Sequence, residues 1–292
     1  MRDEKEMLRL IVDFAQEDER IRAVVMNGSR VNPDAPRDCF QDFDIVYIVT
    51  DVASFVRDRG WIRRFGELMI MQTPDEMDEP DLAPEERYRF AFLMQFADGN
   101  RIDLTLFAQN EMSSIGKDSL SLLLLDKDGV APPFPAPNNG DYATRPPSAR
   151  QFENCCNEFW WVSTYIAKGL WRGELPYAKS MFEGPVRAML MRMLEWHIGV
   201  RTGFEADFGK CGKYAENHLE PELWERFAQT YPDADYGNMW RALFAMGDLF
   251  RDVATGVSEH FGYTYPHGDD RCVTAHLKHV QALPKDAAAM YE

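Results

Sequence analysis

The 292-residue sequence is poor in positive charge. Its 32 Lys and Arg residues are outnumbered by 48 Asp and Glu residues, which gives a formal net charge of −16. Because proteins bind a nucleic-acid backbone through clustered Lys and Arg, this charge disfavours a polynucleotide substrate, and we expect no nucleic-acid partner. An acidic surface instead concentrates cationic ligands, although composition alone is explained more simply by solubility.

Long apolar runs and paired cysteines are also missing. No apolar segment approaches the roughly 18 residues that are needed to cross a bilayer. The first residues carry charges and helical spacing (Met7, Leu10, Ile11, Phe14) in place of the apolar core of a signal peptide. The five cysteines are odd in number and have no CxxC or Cys/His metal spacing. We therefore expect a cytoplasmic protein with reduced cysteines and no membrane partner.

A stretch rich in proline separates two halves of different pattern. The first half predicts an opening helix, strands at 21–26, 44–50 and 68–72, a helix at 52–65, and a hairpin over 88–107 around the turn pair Asp98-Gly99. Beyond the prolines, helical periodicity dominates over 152–170, 186–200, 222–230 and 236–257, with Ser148 as a candidate N-cap. The fold class is therefore α+β. We expect a mixed α/β domain over 1–130, a stiff linker over 131–147 and a helical domain over 148–292.

Two acidic residues, Asp42 and Asp44, stand where an apolar strand begins. Since side chains of a strand alternate, both project from one face, and two carboxylates so close repel each other unless a cation lies between them. Hard oxygen ligands suit Mg²⁺. Other acidic pairs in the chain adjoin glycines and are typical of solvated turns, whereas a charge leading into a core strand is costly unless it is neutralised. The pair therefore predicts a metal site.

Two further features concern the same half. Gly28 and Ser29, followed by Arg30, end the preceding strand, and a glycine there lets backbone N–H groups approach phosphate oxygens. Alone, this dipeptide is a common turn. Asp103 lies on the polar side of the second hairpin strand. An ordinary surface aspartate with hydrogen-bond partners and no role in catalysis could occupy the same position. In a two-metal site it would bridge to the second ion or accept the proton of an attacking hydroxyl.

In combination, these features are the signature of metal-dependent nucleotidyltransferases. Over nearly its whole length the sequence resembles the aminoglycoside 6-adenylyltransferases, which modify streptomycin. The blocks that carry the resemblance are Asp18 to Arg22, Asn27 to Arg30, Phe40 to Ile45, Asp98 to Thr105, Cys155 to Trp161, Ala167 to Gly169, and Gly209-Lys210 with Lys213-Tyr214. The first-half motifs specify only the superfamily, and the Cys155 to Trp161 block is more specific.

The resemblance implies a polymerase-β-like nucleotidyltransferase domain followed by a helical bundle. It implies transfer of AMP from ATP to the 6-hydroxyl of the streptidine ring of streptomycin, which releases pyrophosphate and inactivates the antibiotic. ATP is then the co-substrate and one or two Mg²⁺ ions are cofactors. Asp42 and Asp44 would be metal ligands, Asp103 a ligand or the catalytic base, and Gly28, Ser29 and Arg30 the contacts of the triphosphate.

Residues of the helical half are predicted less sharply. Lys168, with Lys210 and Lys213 as second choices, would contact phosphate, while Glu158 would pair with a cationic group of the substrate beside Asn157 and Trp161. Lys168 follows Glu158 by ten helical positions, which separates the two side chains by about 80° around the helix axis, so the two can border one cleft. Exposed lysines and core tryptophans are the simpler interpretations of the same residues.

Other functions stay open at this point. The acceptor can be another aminoglycoside, a lincosamide or a protein side chain, and the chain can be a monomer or a homodimer. A non-catalytic nucleotide-binding module is the alternative from another class. A degenerate site would be expected to have lost at least one of its three carboxylates, and all three are present.

Overall fold

The computed structural model describes residues 1–291, apart from the side chains of Ser113 and Ser114. It divides into two compact units, Met1–Asp141 and Tyr142 onward, so that the proline-rich stretch is split between them. The first unit contains a mixed sheet and the second is helical, which confirms the predicted α+β class. No helix within residues 1–291 is both long enough and apolar enough to span a membrane.

The first unit is built around one six-stranded sheet. Its helices and strands are α1 (Glu4–Glu17), β1 (Ile21–Asn27), β2 (Phe43–Val49), α2 (Val52–Arg57), β3 (Leu68–Gln72), α3 (Pro74–Asp78), β4 (Arg89–Phe96), β5 (Arg101–Ala108) and β6 (Ser121–Asp126). The strand order is β3-β4-β5-β2-β1-β6, and only β2 and β5 run parallel. The central parallel pair therefore brings the starts of two strands to one edge.

The two faces of the sheet are covered unequally. Phe43, Ile45 and Tyr47 of β2 are buried in the larger core together with α1, and the Tyr47 hydroxyl donates a 2.7 Å hydrogen bond to the carbonyl of Ile11. Because side chains alternate along a strand, Asp44 and Asp103 project from the other face, which carries a smaller apolar cluster. The fold thus buries the apolar set and leaves the acidic set accessible.

Two elements of this unit differ from the sequence-based expectation. The single helix expected over 52–65 is interrupted, because the Asp58 carboxylate accepts a hydrogen bond from the N–H of Gly60 and forms a local turn instead. A 3₁₀ helix, Gly60–Phe65, follows. Strand β6 was not predicted: its leucines are good helix formers, and pairing with β1 decides their conformation.

The second unit contains α4 (Ala149–Arg172), α5 (Leu175–Met181), α6 (Arg187–Thr202), α7 (Ala215–His218), α8 (Pro221–Ala228), α9 (Tyr236–Phe261) and α10 (His267–Ala282). The Ser148 side chain caps α4 as predicted, in a reciprocal capping box with Gln151. Phe159 of α4 stacks on Phe250 of α9 with ring centroids 3.7 Å apart. Helices α5 and α10 lie outside the predicted helical segments.

A cluster of three carboxylates

The acidic residues predicted from separate strands lie together. Asp44 on β2 stands directly opposite Asp103 on β5 in the parallel register, and Asp42 lies immediately before β2. One carboxylate oxygen from each of the three lies within 4.8 Å of the others. Three hard oxygen donors at this separation fit a divalent cation such as Mg²⁺. All three residues are partly exposed, so a ligand can approach them from solvent.

An arginine that the sequence analysis did not single out neutralises part of this charge. Arg101 donates two hydrogen bonds to Asp103, from Nε to Oδ1 at 2.7 Å and from Nη2 to Oδ2 at 2.6 Å. Its Nε also lies 3.8 Å from Oδ2 of Asp42. The hydrogen bonds to Asp103 raise the pKa of Arg101 above its usual value, and the charges of Asp42 and Asp44 add to this effect. The cluster therefore has a built-in cationic partner.

The position of Arg101 could have been found from the sequence. It precedes Asp103 by two residues on a strand, and that spacing places both side chains on one face.

Gly28 approaches the cluster more closely than any other residue type could. It begins a 3₁₀ turn, Gly28–Arg30, and its φ of +74° lies in the left-handed region that side chains disfavour. A Cβ built on Gly28 would lie only 2.1 Å from Oδ2 of Asp44. Both the backbone conformation and the neighbouring carboxylate therefore require glycine here.

Arg30 and Gln41 fasten this turn to the loop that carries Asp42. Arg30 donates from Nε to the Asp42 carbonyl at 2.8 Å and from Nη2 to the Gln41 carbonyl at 2.6 Å, with its guanidinium 3.7 Å above the ring of Phe43. In return, the Gln41 side-chain amide donates to the carbonyl of Ser29 at 3.1 Å. Arg30 is buried, and these donors point inward, where the sequence analysis expected a phosphate contact. The carbonyls at the entry of β2 explain the difference, because they supply acceptors inside the protein.

A polar row crosses the sheet at the same level. Asn27 of β1 stands opposite Asp44, and on its other side it stands opposite Ser121 of β6, whose hydroxyl donates to Asn27 Oδ1 at 2.9 Å. Two sequence signals point to Asn27: it ends its strand directly before Gly28, and it opens the block Asn27 to Arg30 that carries part of the family resemblance. The row continues through Asp103, so four neighbouring strands contribute polar side chains.

The predicted residues of α4 are exposed on the second unit. Asn157, Glu158, Trp161 and Lys168 all lie at its surface. The Trp161 indole donates to the Tyr165 hydroxyl at 2.7 Å, and the Lys168 ammonium lies 4.9 Å from the centroid of the Tyr165 ring. Lys168 also lines a cavity of about 330 Å³, whereas Glu158 is not part of that lining. Trp160, by contrast, is buried, as expected for a core tryptophan.

Lys210 and Lys213 lie on a loop of the second unit that is shaped by left-handed glycines. Gly209 and Gly212 have φ values of +74° and +73°. Both lysines are exposed, and the Lys213 ammonium lies 4.9 Å from the centroid of the Tyr214 ring. Lys210 borders a cavity of about 500 Å³ together with Glu195 and other residues.

Comparisons match the chain to known proteins over most of its length. The family model described as streptomycin adenylyltransferase matches residues 1–280. The chain is 42% identical over 272 residues to an aminoglycoside 6-adenylyltransferase of Bacillus subtilis (strain 168), covering 92% of this chain and 95% of the relative. It is 41% identical over 272 residues to one of Campylobacter jejuni, covering 93% of each, and 33% identical over 269 residues to one of Staphylococcus aureus, covering 91% and 95%.

A solved structure is also similar. A crystal structure of an aminoglycoside 6-adenyltransferase from Bacillus subtilis is 37% identical, covers 97% of this chain and 100% of that chain, and gives a TM-score of 0.48. The matches in sequence confirm the resemblance that the motifs indicated. The chain therefore belongs to the streptomycin adenylyltransferase family and is an adenylyltransferase.

Proposed function

We propose that the protein transfers AMP from ATP to a hydroxyl of a cationic aminoglycoside, the 6-hydroxyl of the streptidine ring of streptomycin, and releases pyrophosphate. The observation that carries the chemistry is the cluster of Asp42, Asp44 and Asp103, with oxygens within 4.8 Å of one another. The relatives named aminoglycoside 6-adenylyltransferase support the acceptor, as does the net charge of −16, which favours cationic ligands.

Asp42 and Asp44, together with Asp103, are the residues that would hold one or two Mg²⁺ ions. When bound, Mg²⁺ supplies positive charge against the charge that develops on the phosphoryl group in transfer. Asp103 is also the candidate acceptor for the proton of the attacking hydroxyl, because it sits on the accessible face of β5 beside the other two carboxylates. An alcohol needs such a group, since it is a poor nucleophile until its proton has somewhere to go.

The turn at Gly28 and Ser29 is assigned to the triphosphate. With no side chain on Gly28, backbone N–H groups of the turn can approach phosphate oxygens closely. We assign Arg30 a positioning role, because its hydrogen bonds to the carbonyls of Gln41 and Asp42 hold the loop before β2 against the Gly28 turn and so fix the position of Asp42. Reaction by in-line attack depends on such positioning, because misplacement by about 1 Å is enough to slow a reaction strongly.

The exposed residues of the helical unit are proposed to bind the substrates. Lys168, and less directly Lys210 and Lys213, would contact the phosphates of ATP. Glu158 would pair with a guanidinium or ammonium group of the aminoglycoside, with Asn157 and the exposed Trp161 as its neighbours on α4. We propose a cytoplasmic enzyme, since ATP is its co-substrate.

The experiment that tests the function measures pyrophosphate release from ATP and Mg²⁺ with a panel of aminoglycosides and one lincosamide. Mass spectrometry of the acceptor then looks for the addition of one AMP. We expect turnover with streptomycin and a product modified on the streptidine ring. Turnover only with another compound would move the assignment to that acceptor. ATP binding without turnover on any acceptor would favour a nucleotide-binding module.

A further inference from the structure

We propose that Arg101 is a displaceable internal counter-ion, which neutralises the carboxylate cluster in the free protein and moves to the nucleotide phosphates when metal and ATP bind. The inference rests on the proposed function, because it adds a residue to the same site. Its first support is that both oxygens of Asp103 accept hydrogen bonds from Arg101, at 2.7 Å and 2.6 Å.

Those two hydrogen bonds conflict with either role assigned to Asp103. A carboxylate oxygen that already faces a guanidinium cannot closely face a divalent cation without placing two positive charges side by side. Both oxygens also already accept a hydrogen bond from Arg101, so the attacking hydroxyl has to compete with the guanidinium for them. At least one hydrogen bond from Arg101 must therefore be released before Asp103 acts.

The Arg101 guanidinium is held less firmly than the other arginine beside the cluster, Arg30. The Arg30 side chain is only 7% exposed and donates to two backbone carbonyls. The Arg101 side chain is 45% exposed, and both its hydrogen bonds go to one carboxylate. The Arg101 side of the pair is open to solvent, so a ligand can reach the guanidinium and compete for it. Arg30 is thus a fixed part of the loop, whereas Arg101 can swing.

The direction of the swing follows from the charges that remain. Once a divalent cation neutralises Asp42, Asp44 and Asp103, the strongest anion beside Arg101 is the triphosphate. The Gly28 turn, to which we assign the triphosphate, touches Asp44, and the guanidinium already reaches from Asp103 to within 3.8 Å of Asp42. Guanidinium groups bind phosphate through paired N–H donors, which suits the new position. Metal and nucleotide should therefore bind cooperatively.

The first test measures Mn²⁺ binding to the full chain by electron paramagnetic resonance, without nucleotide. Arg101→Gln should bind Mn²⁺ about fivefold more tightly than wild type, the size expected for loss of one competing ion pair that solvent can reach. Arg101→Lys keeps the positive charge but lacks the paired N–H donors of the guanidinium, so its Mn²⁺ affinity should lie between those of wild type and Arg101→Gln. Arg9→Gln changes the same charge at an exposed position of α1 and should match wild type. Equal affinities of wild type and Arg101→Gln would overturn the counter-ion role.

The second test measures binding of the α,β-methylene analogue of ATP with Mg²⁺ by calorimetry. Arg101→Gln should bind it about tenfold more weakly, and Mn²⁺ and the analogue should help each other less than in wild type. Wild-type affinity in the variant would overturn the move to phosphate. Neither readout depends on an acceptor. Shifts without AMP transfer to any aminoglycoside would refute the proposed function alone, and transfer without shifts would refute the inference alone.

Discussion

Gly28 offers the sharpest single perturbation of the site. Gly28→Ala has two effects: it strains the backbone and it places a Cβ against Asp44. The variant Gly99→Ala has only the first effect, because Gly99 also has a positive φ, of +91°, but has open space where its Cβ would lie. Forcing alanine into the left-handed region costs about 1–2 kcal/mol at either position. At Gly28 alone, the new Cβ would lie 2.1 Å from Oδ2 of Asp44.

The extra effect at Gly28 falls on catalysis. To restore ordinary contact at 3.4 Å, the Asp44 carboxylate or the turn has to move by more than an ångström. Because misplacement by about 1 Å can cost about 100-fold in rate, we expect kcat/KM of Gly28→Ala to fall by about that factor. Gly99→Ala should lose no more stability than Gly28→Ala and should keep nearly all of its activity.

The assay pairs urea unfolding with steady-state AMP transfer for both variants. The expected pattern is that Gly28→Ala loses at least as much stability as Gly99→Ala, and that activity falls only in Gly28→Ala. If Gly28→Ala transferred AMP as fast as Gly99→Ala, contact between this turn and Asp44 would not matter for the reaction. The positioning argument would then be refuted.

The remaining predictions concern Arg30, Glu158 and the buried Asp270. Arg30→Met should destabilise the protein by about 3 kcal/mol in urea, as two charge-assisted hydrogen bonds are lost, and should lower kcat more than it changes KM for ATP. Glu158→Gln should raise KM for streptomycin about tenfold and leave KM for ATP unchanged, since only the cationic acceptor needs the charge; unchanged KM for both would remove Glu158 from the site. Asp270→Asn should cost about 3 kcal/mol, because it leaves Arg251 without its buried partner, and should not alter AMP transfer under conditions where the variant is folded. Burial raises the pKa of Asp270, but hydrogen bonds from Arg251 and Tyr265 outweigh it and hold the pKa below the usual value. A depressed pKa in the folded state means that this stabilisation is complete above the unfolded value of about 3.9 and is lost as pH falls further. Melting temperatures from about pH 6 to about pH 3 should therefore fall less steeply in Asp270→Asn, and parallel curves would show that Asp270 does not contribute.

Local sequence patterns predicted most of the strands and helices of the fold. The alternation of β5 placed Asp103 on its polar side, and the spacing of Asp42 and Asp44 placed those two side chains on one face. Pairing of β2 and β5 in parallel then brought the carboxylates side by side. Strand β6 escaped prediction because its four leucines have no period of two, and its partner β1 is remote in sequence. Local hydrogen bonding at Asp58 likewise broke a helix that periodicity alone continues.

The sequence predicted the parts of the candidate site that depend on which side chains share a strand face. It did not predict the side-chain directions that depend on contacts formed only on folding. Asp42, Asp44 and Asp103 lie together, as the motif indicated. Arg30 turns inward, because the carbonyls before β2 and the ring of Phe43 are brought beneath it only by folding. Arg101 was overlooked, although its spacing from Asp103 placed it on the same face.

The measurement that tests the central claim most directly is the rate at which Asp44→Asn transfers labelled AMP from ATP to streptomycin. A folded variant, verified by circular dichroism and by an unchanged urea midpoint, should be slower than wild type by about 100- to 1,000-fold, because loss of one electrostatic contact in a transition state costs about that much. Transfer at a near-normal rate by this folded variant would contradict the assignment of the carboxylate cluster as the site of AMP transfer.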